Sequence, residues 1–189
     1  GDDQESNWAL LQATLPAEAQ IELEIVYGGF PQEWNVSETM QGGDEISSRY
    51  ICLEHASLAP YILNAGAEGG VLPATIEVTL PAGMTAIPFG TAEAEVVSEN
   101  GDGTATWRYE DEGPGGILYA GDYVCADVEA AGLTVRFYYG RKHQGIMEEA
   151  GAADAIRAVA EYCAAHYGAP SFVPDGTLKL IESRVSGGG

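Results

Sequence analysis

The residue types in this sequence that could do chemistry are its three histidines, its three cysteines and several runs of carboxylates. A helical zinc-peptidase site requires the pattern His-Glu-x-x-His, which puts two histidines one turn apart, and a third ligand downstream. His55, His143 and His166 are all more than four residues from one another, and none of them is followed by Glu. We therefore predict no catalytic residue and no metal ligand within this chain.

The other reactive side chains have simpler structural interpretations. Cysteines in apolar segments are poor nucleophiles, because an apolar setting disfavours the thiolate. An odd number of cysteines without metal-ligand spacing favours free, buried thiols, although one bridge, Cys52–Cys125, is left open and would indicate an oxidising compartment. We expect His166 to lie near a helix C-terminus, where a protonated imidazole interacts favourably with the helix dipole. His143 lies in a basic linker and is predicted to be solvated.

The charge of the chain excludes two classes of partner. It has 8 Lys and Arg against 29 Asp and Glu, a formal net charge of −21. Nucleic acids and anionic lipid headgroups both need clustered basic residues. No apolar run is long enough to predict a transmembrane helix. We therefore predict no nucleic-acid partner and no membrane span.

The alternation of apolar and polar residues predicts a β-sheet protein centred on residues 71–124. Residues 75–80 put three apolar side chains on one face and three polar ones on the other, the period of a half-buried strand. The run Asn100-Gly101-Asp102-Gly103 is a strong hairpin signal, since these residues tolerate the positive φ of tight turns. Further strands are predicted at 20–27, 46–53, 104–109, 117–128 and 133–139.

The periodicity changes after residue 139. Residues 140–146 read as a polar linker, and beyond them one apolar face recurs at spacings of three and four: Ala152, Ile156, Val159, Ala160, Cys163 and Tyr167. Gly168 and Pro170 end this helix, and a strand follows at 178–182. We predict a mainly β fold: an antiparallel β-sandwich over 1–139, a linker over 140–146, and a helix plus strand over 147–189.

The order and spacing of these motifs resemble one known family. A strand ending in Pro81-Ala82-Gly83 is followed by DGTATWRYE at 102–110 and AGDYV at 120–124. This order resembles the saddle-like N-terminal β domain of M1-family zinc metallopeptidases, which include the aminopeptidase N-like enzymes. A helix ending in Tyr167-Gly168-x-Pro170 before the strand at 178–182 is similar to the start of their catalytic domain.

The resemblance implies a non-catalytic N-terminal domain that helps to cover the peptide-binding cleft of a catalytic part absent from this chain. Zinc would be bound in that missing part, and the partner would be a peptide substrate of the full-length protein. In the family, a Gly-rich segment after this strand borders the cleft, and by position alone Gly187, Gly188 and Gly189 correspond to it. The more specific pattern Gly-x-Met-Glu-Asn is absent.

The alternative is a free-standing acidic β-sandwich that binds a peptide, carbohydrate or protein partner. Tyr27, Phe30, Trp34 and Trp107 would serve that use as surface aromatics. Such a module has no evident need for the helix and strand that follow Tyr139. A homodimer through an exposed C-terminal segment is left open, as is the compartment, with a preference for an extracytoplasmic protein.

Overall fold

The computed structural model describes residues 45–54, 74–111, 117–168, 173 and 176–183. In these ranges the fold is mainly β, with antiparallel sheets followed by a helix and a strand, as the sequence predicts. The strands are β1 (Glu45–Ile46), β2 (Tyr50–Glu54), β3 (Ala74–Pro81), β4 (Thr85–Pro88), β5 (Glu95–Glu99), β6 (Thr104–Asp111), β7 (Ile117–Gly121), β8 (Tyr123–Ala130), β9 (Leu133–Gly140) and β10 (Thr177–Ile181). The helices are a 3₁₀ helix (Arg141–His143), α1 (Gln144–Glu149) and α2 (Ala152–Tyr167).

Several predictions fall outside the described residues. They are the strand at 20–27, the aromatic residues Tyr27, Phe30 and Trp34, the residue His55, and the proposed cleft border Gly187, Gly188 and Gly189.

A four-stranded antiparallel sheet, in the order β1-β2-β7-β4, is covered on both faces. Adjacent residues of a strand point to opposite faces, so Ala86 and Ile87 enter two different clusters. One face packs against the sheet β3-β6-β5 through Leu80, Met84, Ala86, Tyr109, Leu118 and Ala120. The other face packs against the sheet β8-β9-β10 through Tyr50, Cys52, Ile87, Tyr123 and Tyr138. The core therefore consists of two hydrophobic clusters, one on each face of the central β1-β2-β7-β4 sheet.

The predicted hairpin region is confirmed. Strand β3 alternates between exposed Thr75, Glu77 and Thr79 and the inward Ile76, Val78 and Leu80. It pairs antiparallel with β6 along its whole length, and β6 also pairs with β5. The turn between β5 and β6 closes at Gly103, whose φ of 82° is one that glycine adopts without strain. Half-buried Trp107 packs on the core here and is not a surface aromatic.

The single strand predicted at 117–128 is in fact two strands in two different sheets. The chain bends at Gly121 and Asp122, so β7 stays in the central sheet while β8 joins the outer one. A Cβ at Gly121 would lie 3.0 Å from the carbonyl oxygen of Arg49 and 3.0 Å from the ring of Tyr123. The tight approach of these two segments therefore favours glycine at this bend, because a side chain would push Arg49 or Tyr123 aside by a few tenths of an ångström.

The strand predicted at 46–53 is likewise a hairpin of β1 and β2. Ser47 turns the chain, because its Oγ accepts the backbone N–H of Tyr50 at 3.1 Å while its backbone N–H donates to the carbonyl of Tyr50 at 2.8 Å. Serine readily makes such local bonds to the backbone, and they compete with continuous strand pairing.

The C-terminal segment is attached to the β domain through a parallel strand pair. The predicted linker at 140–146 is helical, since the 3₁₀ helix and α1 follow β9 directly. Helix α2 packs on β8 and ends at Gly168 with a φ of 85°, after which β10 runs parallel to β9. Strand, helix and parallel strand form one crossover unit. The division into a domain over 1–139 and a segment over 147–189 stays a prediction.

Helix α2 contacts the sheet with a narrower face than the sequence predicts. Its half-buried residues are Ala152, Ile156, Ala160 and Ala164, a stripe of mostly small side chains that allows close approach to β8. Val159, Cys163 and Tyr167 are exposed, so only part of the predicted apolar face packs on the sheet. The homodimer that the sequence leaves open for this segment stays open. No helix in the described ranges is long and apolar enough to cross a membrane.

Candidate functional site

A pocket of about 560 Å³ lies where β9 and β10 reach their carboxyl ends. In sheets with parallel strands, ligands bind preferentially at this edge. The volume is in the range of small-molecule sites, which are a few hundred to about 1,000 Å³. The walls come from the β1–β2 turn, the bend between β7 and β8, the 3₁₀ helix and the end of β10.

The carboxylate of Glu182 is held by two groups from the end of β9 and the 3₁₀ helix. Its Oε2 accepts the backbone N–H of Gly140 at 2.7 Å, and its Oε1 lies 2.6 Å from Nδ1 of His143. An ionised carboxylate only accepts hydrogen bonds, so the imidazole carries its proton on Nδ1 and leaves Nε2 as an acceptor when neutral. The predicted solvation of His143 is wrong, because the 3₁₀ helix turns this residue back onto β10.

Two tyrosines form the inner wall of the pocket. Tyr123 donates its hydroxyl to the carbonyl oxygen of Glu182 at 2.9 Å, and the hydroxyls of Tyr50 and Ser183 are 3.2 Å apart. Burial raises the pKa of Tyr123, and the nearby Tyr50 and Glu182 add to the rise. Tyr123 therefore stays a protonated donor at neutral pH, and these bonds hold the end of β10 in place.

The two acidic residues at the pocket have hydrogen-bond partners, whereas its two basic residues have no ion-pair partner among the described residues. Glu182 is paired with His143, and Asp122 accepts a hydrogen bond from Nε of Arg141 at 2.8 Å. Arg49 and Lys142 also line the pocket, and no ion pair joins either side chain to another residue of the described ranges. The arrangement thus offers a ligand two cations that have no ion-pair partner in the part of the chain that the structure describes.

The cysteines supply no nucleophile to this pocket. All three are free thiols, so the Cys52–Cys125 bridge that the sequence leaves open is not formed. Cys52 is buried, as expected of a free structural thiol. Cys125 on β8 and Cys163 on α2 are both exposed, so the predicted buried setting is wrong for these two thiols.

Cys125 is expected to react slowly with alkylating agents at neutral pH. Desolvation, followed by the carboxylate of Asp127, raises the pKa of its thiol to about 11. About one molecule in a thousand then carries the thiolate at pH 8, and alkylation by iodoacetamide should accelerate about tenfold per pH unit up to pH 11. Mass spectrometry of the Cys125 peptide measures the rate, with the urea-unfolded chain as control. Rapid modification of the folded chain at pH 8 would contradict the assignment.

The family resemblance puts its zinc ion in a part outside this chain, and the described residues form no metal site of their own. No group of three or more His, Cys, Asp or Glu side chains in these ranges is arranged to hold a metal. His143 is engaged with Glu182. His166 lies in the last turn of α2, as predicted, stacked on Tyr162 with Nδ1 2.8 Å from the carbonyl oxygen of that residue.

Sequence reasoning does not find this pocket, because its walls come from segments far apart in the chain that share no short motif. One signal was available. The run Arg141-Lys142-His143 concentrates positive charge in a chain with a net charge of −21. Comparisons with protein-family models, with curated proteins and with solved structures gave no match.

Proposed function

We propose that this chain is the N-terminal β domain, with the first elements of the catalytic domain, of an M1-like zinc metallopeptidase. In this role it hydrolyses nothing itself. It helps to cover the peptide-binding cleft, while zinc and the catalytic residues belong to a further part of the parent protein.

The observation that carries the proposal is the parallel crossover formed by β9, α2 and β10. Strand β10 pairs with β9 from Thr177 opposite Thr134 to Ile181 opposite Tyr138. Parallel pairs joined by a helix are typical of α/β catalytic domains and are foreign to an all-antiparallel sandwich. Strand β10 adds this parallel pair to the edge of the antiparallel β domain, and we take the helix and β10 as the first elements of a catalytic domain.

The position of the pocket supports the same proposal. It lies at the carboxyl ends of the parallel strands, where α/β enzymes bind their ligands. In the sequence, Gly187 follows Ser183 of the pocket by four residues. By this position alone, we assign the cleft border to Gly187, Gly188 and Gly189.

The proposal is tested on the natural gene product, purified from its source cells with an antibody against this domain. We expect a protein well above the 19.9 kDa of this chain that hydrolyses aminoacyl-p-nitroanilides and loses that activity to 1,10-phenanthroline. The isolated chain, assayed in parallel, should release no product. A natural product of about the size of this chain, inactive on these substrates, would overturn the proposal.

The second candidate function is a free-standing acidic module that binds a ligand. The pocket favours it, because all of the lining residues, including Arg49 and Lys142, belong to this chain and need no second domain. This function would become the better account if the natural product were the size of this chain and still bound a ligand at the pocket.

A further inference from the structure

We propose that the pocket at the carboxyl ends of β9 and β10 binds a small organic acid through its carboxylate, with Arg49 and Lys142 as the groups that receive the charge. The inference goes beyond the proposed function. It concerns binding by this chain alone and holds whether or not the parent protein is a peptidase.

The sign of the ligand follows from the pairing of charges around the pocket. Its two acidic residues are already engaged, Glu182 by His143 and Gly140, and Asp122 by Arg141. A cationic ligand would have to compete with these internal donors. Arg49 and Lys142 have no ion-pair partner among the described residues, so an anion gains charge-assisted hydrogen bonds without breaking existing ones.

The rest of the molecule makes this concentration of positive charge unusual. The chain has eight Lys and Arg residues, and Arg49, Arg141 and Lys142 are three of them. Other described basic residues are engaged with acidic groups elsewhere, as Arg108 is with Glu77 and Arg157 with Asp154. The pocket is therefore a place where this acidic protein presents two basic residues, Arg49 and Lys142, that have no ion-pair partner among the described residues.

The volume and the walls indicate an organic acid rather than an inorganic anion. A space of about 560 Å³ far exceeds what one phosphate or sulfate fills. Tyr50 and Tyr123 present aromatic rings on the inner side, which suit an aliphatic body. The planar guanidinium of Arg49 can pair with a carboxylate through two parallel bonds, and a second carboxylate on the same ligand can reach Lys142.

The experiment is an NMR titration of the ¹⁵N-labelled chain with glutarate at constant ionic strength. We expect saturable shifts of the amide signals of Gly121, Gly140 and Ser183, with a Kd in the millimolar range. Glutaramide, which has the same shape without the charge, should give no saturable shift at these signals. Inorganic phosphate should bind at least about tenfold more weakly than glutarate, if phosphate binds at all.

Variants locate the binding site. Arg49→Met and Lys142→Met should each raise the Kd for glutarate about tenfold, the effect of losing one charge-assisted hydrogen bond. Both side chains are exposed, so the variants should keep the dispersed spectrum of the folded chain. Arg108→Met removes the same charge from β6 in the β3-β6-β5 sheet and should leave the Kd unchanged. The proposal would be overturned if the shifts with glutarate did not saturate, or if glutaramide or phosphate bound as tightly as glutarate. It would also be overturned if all three variants raised the Kd for glutarate equally.

Discussion

Replacing Lys179 with Met is expected to lower the free energy of unfolding by about 2 kcal/mol. The side chain of Lys179 is only 3% exposed, and its ammonium donates to the carbonyl oxygens of Pro88, at 3.1 Å, and of Ala92. It therefore ties β10 to the loop between β4 and β5, across two sheets. Methionine keeps the length and apolar stem of the side chain but leaves both acceptors without this donor.

The matched control is Arg136→Met. Arg136 lies opposite Lys179 on β9, and the two cations share Glu93 at 3.2 and 3.3 Å. Arg136 is more exposed, so the loss of its pairs should cost less than about 1 kcal/mol. Urea unfolding followed by circular dichroism measures both variants. Equal stability of Lys179→Met and the parent chain would show that the buried ammonium contributes nothing to the attachment of β10.

Replacing Leu118 with Ala is expected to lower the free energy of unfolding by about 3 to 4 kcal/mol, more than the replacement of Lys179. Leu118 is 0% exposed on β7, in the cluster shared by the central sheet and the β3-β6-β5 sheet. The truncation leaves a cavity that the surrounding strands cannot fill, because both sheets are held by their own hydrogen bonds.

The control for this variant is Val97→Ala on β5, where the side chain is exposed and the loss should stay below about 0.5 kcal/mol. Thermal and urea unfolding both report the difference. A loss at Leu118 as small as that at Val97 would contradict the packing of the two sheets on each other.

Sequence patterns predict those strands, turns and helices whose formation depends on residues close together in the chain. The alternation in 75–80, the Asn-Gly and Asp-Gly turn before β6, and the apolar period of α2 with Gly168 at its end all act within a few residues. The mainly β class and the helix followed by a strand are predicted for that reason.

The features that the sequence does not predict depend on contacts between distant segments. The strand at 117–128 reads as continuous, and only the approach of Arg49 to Gly121 explains the bend between two sheets. Likewise, the sequence predicts a solvated His143, whereas in the structure the end of β10 places Oε1 of Glu182 2.6 Å from Nδ1 of His143. Glu182 follows His143 by 39 residues, so no local pattern could report that pair.

The zinc content of the full-length gene product tests the central claim most directly. The proposal predicts one zinc per molecule in the parent protein, measured by inductively coupled plasma mass spectrometry after gel filtration, and none in the isolated chain of 189 residues. A parent protein without zinc, or one zinc bound stoichiometrically by this chain alone, would contradict the assignment of this chain as the non-catalytic part of an M1-like metallopeptidase.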